Sequence, residues 1–159
     1  MAVATPVVPV PGRTGTVASG VSASRNVTDL GAGSHTLRAV YSGDDRFEAG
    51  SSGAVTVTVA KLATTLTPQA ALVSVSPLGL PLGQLKVTLT AGGDPLAGAP
   101  VEFKVGTKVV CQATTNARGV AACNASSQVL GLVLNGGYTA SYAGDADHLP
   151  TSVRGGILK

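Results

Sequence analysis

The chain has 159 residues, of which 44% are hydrophobic, 12% charged and 3% aromatic, and its formal net charge is +3. Its Lys and Arg residues are scattered, which argues against a nucleic-acid interface, because such interfaces need a basic stripe, usually with aromatic side chains. No apolar stretch is long enough to predict a membrane span, and the abundance of Val, Thr and Ser favours strands over helices.

Residues 1–14 are Pro-rich and predict an extended segment. They contain no basic n-region and no continuous apolar core, so no secretory signal peptide is visible. If the protein works outside the cell, we expect this chain to be a piece of a longer protein or a truncated reading frame.

A short pattern of Tyr, one small residue, Gly and Asp occurs twice, in "AVYSGDDRFEAGSS" and in "ASYAGDADHLPTS". Superposing Tyr41 on Tyr142 sets an offset of 101 residues between the two stretches. The same offset aligns further pairs: Leu37 with Tyr138, Ala39 with Ala140, Gly43 with Gly144, and Asp44 with Asp145. Because about one hundred residues is the length of an immunoglobulin-type sandwich, the repeat predicts two units of that architecture.

The first unit, residues 15–61, is predicted to be a partial sandwich. Alternation puts Leu37, Ala39 and Tyr41 on one strand face, and "AVTVTVA" predicts another strand, but residues 15–29 give only weak strand signals. A half sandwich leaves strand edges and a core face open. We therefore expect this unit to borrow a strand, pair with another chain, or be partly disordered.

The second unit, residues 62–159, is predicted to be a complete seven-stranded sandwich with almost no helix. Period-two alternation in "LKVTLTA" and "VEFKV" is typical of half-buried antiparallel strands. The predicted strands are Ala63–Thr67, Gly83–Ala91, Pro100–Val105, Lys108–Thr115, Gly119–Ser126, Gly137–Tyr142 and Val153–Leu158.

Two stretches carry a family resemblance. Residues Leu30–Val59 resemble the second half of bacterial Ig-like repeats from large surface and secreted proteins, with their Tyr-x-Gly-Asp turn and terminal Thr-Val strand. Residues Gly98–Cys123 resemble the middle of such repeats in actinobacteria, where a Cys pair flanks a hairpin. The resemblance implies an all-β protein of tandem Ig-like antiparallel sandwiches, without catalytic residues.

The cysteines, Cys111 and Cys123, flank "TNARG", which predicts a hairpin with Gly119 in the left-handed conformation. Pairing across this hairpin brings the two residues within one register step, so either a disulfide or two free buried thiols is compatible with the sequence. The family pattern favours the disulfide, which implies an oxidising, extracellular setting. A zinc site is not expected, because His35 and His148 lie in other segments.

The two Gly-Asp loops allow two interpretations. Their carboxylates would suit Ca²⁺, which needs several converging oxygen ligands, but the spacing of known calcium motifs is missing. The candidate ligands are Asp44, Asp45, Glu48, Asp145 and Asp147. We favour an architectural turn, with Asp capping backbone N–H groups and Gly43 and Gly144 at positive φ. Tyr41 and Tyr142 are then expected to pack into the sandwich, each hydroxyl bonded to a backbone group. No other cofactor is predicted.

No catalytic dyad, phosphate loop or assignable carboxylate pair predicts an enzyme. The main hypothesis is a non-catalytic spacer, stalk or adhesion module of an extracellular or cell-surface protein. Its expected partners are neighbouring Ig-like repeats and an unidentified protein or glycan ligand. One alternative is a strand-exchanging subunit of a fibre or virion surface, self-associating through the incomplete first unit. A carbohydrate-binding module is a weaker alternative, because aromatic residues are few.

Overall fold

The computed structural model describes residues 4–7, 30–72 and 83–158. The chain divides into two compact units, Met1–Ala60 and Lys61–Lys159. The weak strands predicted within residues 15–29 lie outside the described residues, whereas part of the extended N-terminal segment forms a strand.

The first unit forms an antiparallel sheet around one long strand. Its strands are β1 (Ala4–Val7), β2 (Gly33–Tyr41), β3 (Gly50–Ser51) and β4 (Val55–Val59). Strand β2 is central, because β1 and β3 flank its later half and β4 pairs with its earlier half. The valine-rich strand β4 thus aligns on β2, as the alternation predicts.

One face of this sheet is apolar and exposed. Leu37 lies opposite Val55, so these side chains share a face, and the period of two adds Ala39 to it. Val55 is 61% exposed and Val57 is 37% exposed. Among the residues described in this unit, no side chain is fully buried.

In residues 61–72 and 83–158, the second unit has ten strands and one short α-helix. Its first strands are β5 (Thr64–Gln69), β6 (Ala71–Leu72), β7 (Gln84–Ala91), β8 (Asp94–Pro95) and β9 (Pro100–Val105). They are followed by β10 (Lys108–Thr114), β11 (Val120–Asn124), β12 (Tyr138–Tyr142), β13 (Thr151–Gly155) and β14 (Ile157–Leu158). The predicted all-β, Ig-like fold class is confirmed.

Two antiparallel sheets make up this sandwich. One has the strand order β10-β9-β12-β13, and the other has the order β11-β7-β5, with β8 added to β7. Strands β6 and β14 form a separate parallel pair. Alternate residues of β7, β9 and β12 point into one core, because each of these strands buries every second side chain.

The core joins the sheets through both apolar contacts and one buried hydroxyl. Tyr138 on β12 is 2% exposed, and its ring lies 5.9 Å from that of Phe103. Its hydroxyl lies 2.7 Å from the carbonyl oxygens of Gln69 on β5 and Lys86 on β7, to either of which it can donate its proton. A buried tyrosine thus finds its polar partners on the opposite sheet, which fixes the two sheets relative to each other.

A short helix that the sequence did not indicate lies between β11 and β12. A 3₁₀ turn (Ser126–Gln128) leads into α1 (Val129–Asn135), which ends at Gly136 in the left-handed conformation. Leu132 is fully buried in the core, while Leu130 and Leu134 are 72% and 76% exposed. The helix therefore packs onto the core through Leu132, with Val129 partly buried against the same core.

The prediction of a hairpin around "TNARG" is wrong, because the two strands that flank this turn do not pair with each other. Strand β10 pairs with β9 and strand β11 pairs with β7, so the loop passes from one sheet to the other. The Asn116 side chain accepts the N–H groups of Arg118 and Val120, and the carbonyl of Gly119 accepts the N–H of Leu89 on β7. The Asn116 bonds close the turn, and the bond from Leu89 fastens it to β7, so the chain continues in the second sheet.

Candidate functional site

The cysteines form a disulfide that joins the two sheets. Cys111 lies on β10 and Cys123 on β11, with their Cα atoms 6.5 Å apart. Both strands are at the edges of their sheets, and both side chains pack against the core. Because the bridge joins two cysteines at a sequence separation of 12, it stabilises the unit by about 2–3 kcal/mol in the chain-entropy account.

Gly119, which was expected in the left-handed conformation, has a φ of 70°. A Cβ atom at this position would lie 2.3 Å from the carbonyl oxygen of Leu89. Only glycine allows β7 and the turn to approach this closely, so the residue is needed for the sheet crossing rather than for a hairpin.

In the second unit, the Tyr-x-Gly-Asp loop is organised around the Asp145 carboxylate. Its Oδ1 accepts the backbone N–H groups of Asp147 and His148 at 2.9 and 2.8 Å. Its Oδ2 accepts the Tyr142 hydroxyl at 2.7 Å, and His148 Nδ1 lies 2.8 Å from Oδ1. The hydroxyl partner is therefore a carboxylate and not the predicted backbone group.

The first unit repeats this turn. The Asp44 carboxylate accepts the backbone N–H groups of Arg46 and Phe47 at 2.9 and 3.0 Å. Gly43 has a φ of 82° and Gly144 a φ of 81°, so the backbone bends in the same way in both units. The repeated pattern corresponds to a repeated turn, in which the short Asp side chain replaces a backbone acceptor.

Electrostatics reinforces both turns. The Tyr142 hydroxyl and the N–H groups that converge on Asp145 hold the pKa of that carboxyl well below its usual range. Burial, followed by the adjacent carboxylate, raises the pKa of Tyr142 to about 12. In the first unit, the N–H of Arg46 and the hydroxyl of Tyr41 lower the pKa of Asp44, and burial and Asp44 raise the pKa of Tyr41. Both Asp side chains are therefore held as anions by hydrogen bonding to the charged form.

The loop of the second unit also holds the start of its own first strand. The N–H of Leu62 donates to Asp147 O at 2.8 Å, and the N–H of Leu149 donates to Leu62 O at 2.9 Å. The hydroxyl of Thr64 donates to Leu149 O at 2.8 Å. The turn thus anchors the segment that enters β5.

The calcium candidates are placed in two separate loops, one in each unit. Asp45 and Glu48 are exposed in the first loop, and Asp147 is exposed in the second. Within residues 4–7, 30–72 and 83–158, no group of three or more His, Cys, Asp or Glu side chains is arranged to hold a metal ion. Calcium binding stays a prediction.

The aromatic side chains are distributed mainly in cores. Phe103, Tyr138 and Tyr142 are buried, Tyr41 is partly buried, and Phe47 is 62% exposed. The flat, exposed tyrosine that would support a carbohydrate site is therefore not found at any of the three tyrosines. In the described part of the chain, no helix has the length and apolar character needed to cross a membrane.

Comparison with known protein families gives a match within the first unit. Residues 8–60 match a family model described as a bacterial Ig-like domain, group 3. This part of the chain is similar to bacterial Ig-like domains. The predicted resemblance is confirmed over these residues, which include the first Tyr-x-Gly-Asp turn. No curated protein matches the chain.

Sequence reasoning missed two features of these Ig-like units. It did not find the carboxylate partner of Tyr142, although an Asp follows the Tyr by three residues in both repeats, which was an available signal. It also did not find the link from Tyr138 to Gln69 and Lys86. No local sequence pattern predicts these hydrogen bonds, because the acceptors are backbone carbonyl groups of the opposite sheet.

Proposed function

We propose that this chain is a non-catalytic structural module of a bacterial surface or secreted protein, in which Ig-like units space or present neighbouring parts. The match of residues 8–60 to the bacterial Ig-like domain supports the coarser role of a structural or interaction module. The family alone does not specify a ligand, because an Ig-like fold hosts many functions.

The observation that carries the extracellular part of the proposal is the bridge between Cys111 and Cys123. Disulfides persist in oxidising compartments, whereas cytosolic thiols are kept reduced. Here the bridge joins two edge strands of opposite sheets, so it holds the sandwich closed where it would otherwise open. That role is useful to a module that works without chaperones or a reducing environment.

The test is fractionation of the bacterium that produces the protein, combined with thiol labelling under denaturing conditions. We expect the protein in the surface or culture-medium fraction, with no thiol available for labelling before reduction and two available after it. A Cys111→Ser/Cys123→Ser variant controls for labelling at other groups. A cytosolic protein with two labelled thiols would contradict the proposal.

A further inference from the structure

Two segments of the second unit run side by side in the same direction. Leu62 forms a parallel bridge with His148, and Ala71 pairs with Ile157 where β6 and β14 lie parallel. The difference in residue number is 86 in both pairs, so the register is the same at the two places where the segments meet. We call them the paired segments: residues 62–72 and residues 148–158.

Hydrogen bonds join the paired segments where they begin. Leu62 both donates to and accepts from the backbone of the second Tyr-x-Gly-Asp loop, and the Thr64 hydroxyl donates to the same loop. The Lys61 ammonium group donates to Asp145 O at 2.5 Å. The loop that the Asp145 carboxylate organises therefore also binds the residues that lead into β5.

The paired segments meet again where they end. The N–H of Ala71 donates to Gly156 O at 2.9 Å, next to the parallel pair of β6 and β14. Between the two contacts the segments belong to opposite sheets, because β5 pairs with β7 and β13 pairs with β12. Each segment is therefore bonded to a sheet in its middle and to the other segment at both ends.

The paired segments close the side of the sandwich that the disulfide does not. Strands β5 and β13 are edge strands of the two sheets, and β11 and β10, which carry the cysteines, are the opposite edges. The edges on one side are thus joined by a covalent bridge, and those on the other side by hydrogen bonds. Separation of the sheets along the β5–β13 side requires these hydrogen bonds to break.

This arrangement determines how tension along the unit reaches the hydrogen bonds. Residues 62 and 72 lie up to about 33 Å apart, since each strand residue adds about 3.3 Å. Because the segments are parallel, tension applied before the first and after the second draws them along their length in opposite directions. Hydrogen bonds between strands lie across that direction, so the contacts at both ends and the ladders of β5 and β13 resist the tension together.

We propose that the paired segments make the second unit a tension-resistant element, which withstands tension between its two ends better than tension across one end of the sandwich. This inference rests on the proposed function, because a module that spaces neighbouring parts transmits tension through its ends. Across one end, between Lys61 and the loop, the bonds are reached one after another. The contact between β6 and β14 then does not share the tension.

Single-molecule force spectroscopy in two directions tests the proposal. Thiol-reactive handles are attached at Ala60→Cys and Lys159→Cys for tension between the ends of the unit, and at Ala60→Cys and Asp147→Cys for tension across one end. Cys111 and Cys123 do not react with the handles while they form the disulfide. At the same loading rate, we expect an unfolding force at least about twofold higher between the ends, because forced unfolding is governed by the unfolding rate and not by equilibrium stability.

A pair of matched variants tests the contact itself. Thr64→Val removes the hydroxyl that donates to the loop and should lower the unfolding force between the ends of the unit. Thr67→Val makes the same change at an exposed position of the same strand, further from the loop, and should leave the force unchanged. Equal forces in the two directions, or equal lowering by the two variants, would overturn the proposal. Either result leaves the fractionation and thiol tests of the proposed function untouched, so the two proposals can fail separately.

Discussion

Strands β2 and β12 have the same alternation and lead into the same turn, but only β12 is buried. Tyr138, Ala140 and Tyr142 of β12 lie in a core, whereas Leu37, Ala39 and Tyr41 of β2 lie on an open face. The turns after them agree in backbone angle and in the hydrogen bonds of their Asp side chains. Local sequence thus determines the strand and its turn, while burial depends on a sheet supplied from elsewhere.

The difference separates two sources of stability. In the second unit, apolar burial between β7, β9 and β12 adds to the hydrogen bonds of the sheets. In the described part of the first unit, sheet hydrogen bonds and one Asp-capped turn are present without that burial. Because burial of apolar area is a main source of stability, the described sheet of the first unit is expected to open more readily than the sandwich of the second unit.

The largest expected effect comes from truncating equivalent residues of the two strands. Tyr138→Ala should destabilise the second unit by about 3–5 kcal/mol, because it leaves a cavity and removes the link between the sheets. Leu37→Ala, at the equivalent position, should cost the first unit less than about 1 kcal/mol. Urea unfolding followed through the amide resonances of β12 and β2 measures both. Equal losses would mean that the two strands are equally buried in solution.

The next effect should be confined to the second unit. Reduction of the disulfide, or the Cys111→Ser/Cys123→Ser variant, should lower the free energy of unfolding of that unit by about 2–3 kcal/mol, because the loop between the sheets is no longer closed. Hydrogen exchange in β10 and β11 measures the loss. Amides of β2 and β4 serve as the internal control, since both cysteines belong to the second unit. A comparable change in the control strands would show that the units are coupled.

A matched pair of glycine substitutions should destabilise the two units by similar amounts. Gly43→Ala and Gly144→Ala each place a Cβ atom at positive φ, 2.9 Å from Ala49 N in one loop and 2.8 Å from His148 O in the other. We expect about 1–3 kcal/mol of destabilisation in each case. Thermal unfolding monitored separately for each unit checks this. A loss in one unit only would mean that the turns differ in function despite their common geometry.

The smallest expected effect is a loss of stability at acid pH. The folded-state pKa of Asp145 lies below its unfolded value, so its contribution to stability is complete above about pH 4 and is lost as the pH falls through the folded pKa. Asp44 should behave in the same direction. Unfolding measured between neutral pH and about pH 2 should show this loss, and Asp145→Asn should flatten the profile of the second unit. An unchanged profile would show that the carboxylate does not stabilise the turn.

Much of the fold could be predicted because the alternation is local. Pro100–Val105 matches β9 at both ends, and most other predicted strands of the second unit differ from the observed ones by one or two residues. The partner of each strand could not be predicted in the same way. "TNARG" looks like a hairpin turn, but the bond from Leu89 N–H to the Gly119 carbonyl, which ties the turn to the other sheet, depends on where β7 lies.

The helix, the disulfide and the Asp turn also had features that local sequence could not predict. The sequence "VLGLVLN" is short, contains Gly131 and lacks a capping side chain, so nothing in it indicates a helix. The cysteine pair was found through the family resemblance, but its position between two sheets required the fold. The turn residues were recognisable from the repeat, whereas the carboxylate that receives the Tyr142 hydroxyl appeared only with the structure.

The bridge between Cys111 and Cys123 has a mechanical consequence. If a pulling force unfolds the second unit, the segment between Cys111 and Cys123, which have a sequence separation of 12, cannot extend. At about 3.3–3.6 Å per residue, it withholds roughly 40 Å of contour length. Each unfolding event in a stretched array would therefore lengthen it less when the bridge is oxidised. The redox state of two side chains would then set how far a tether built from such units can reach.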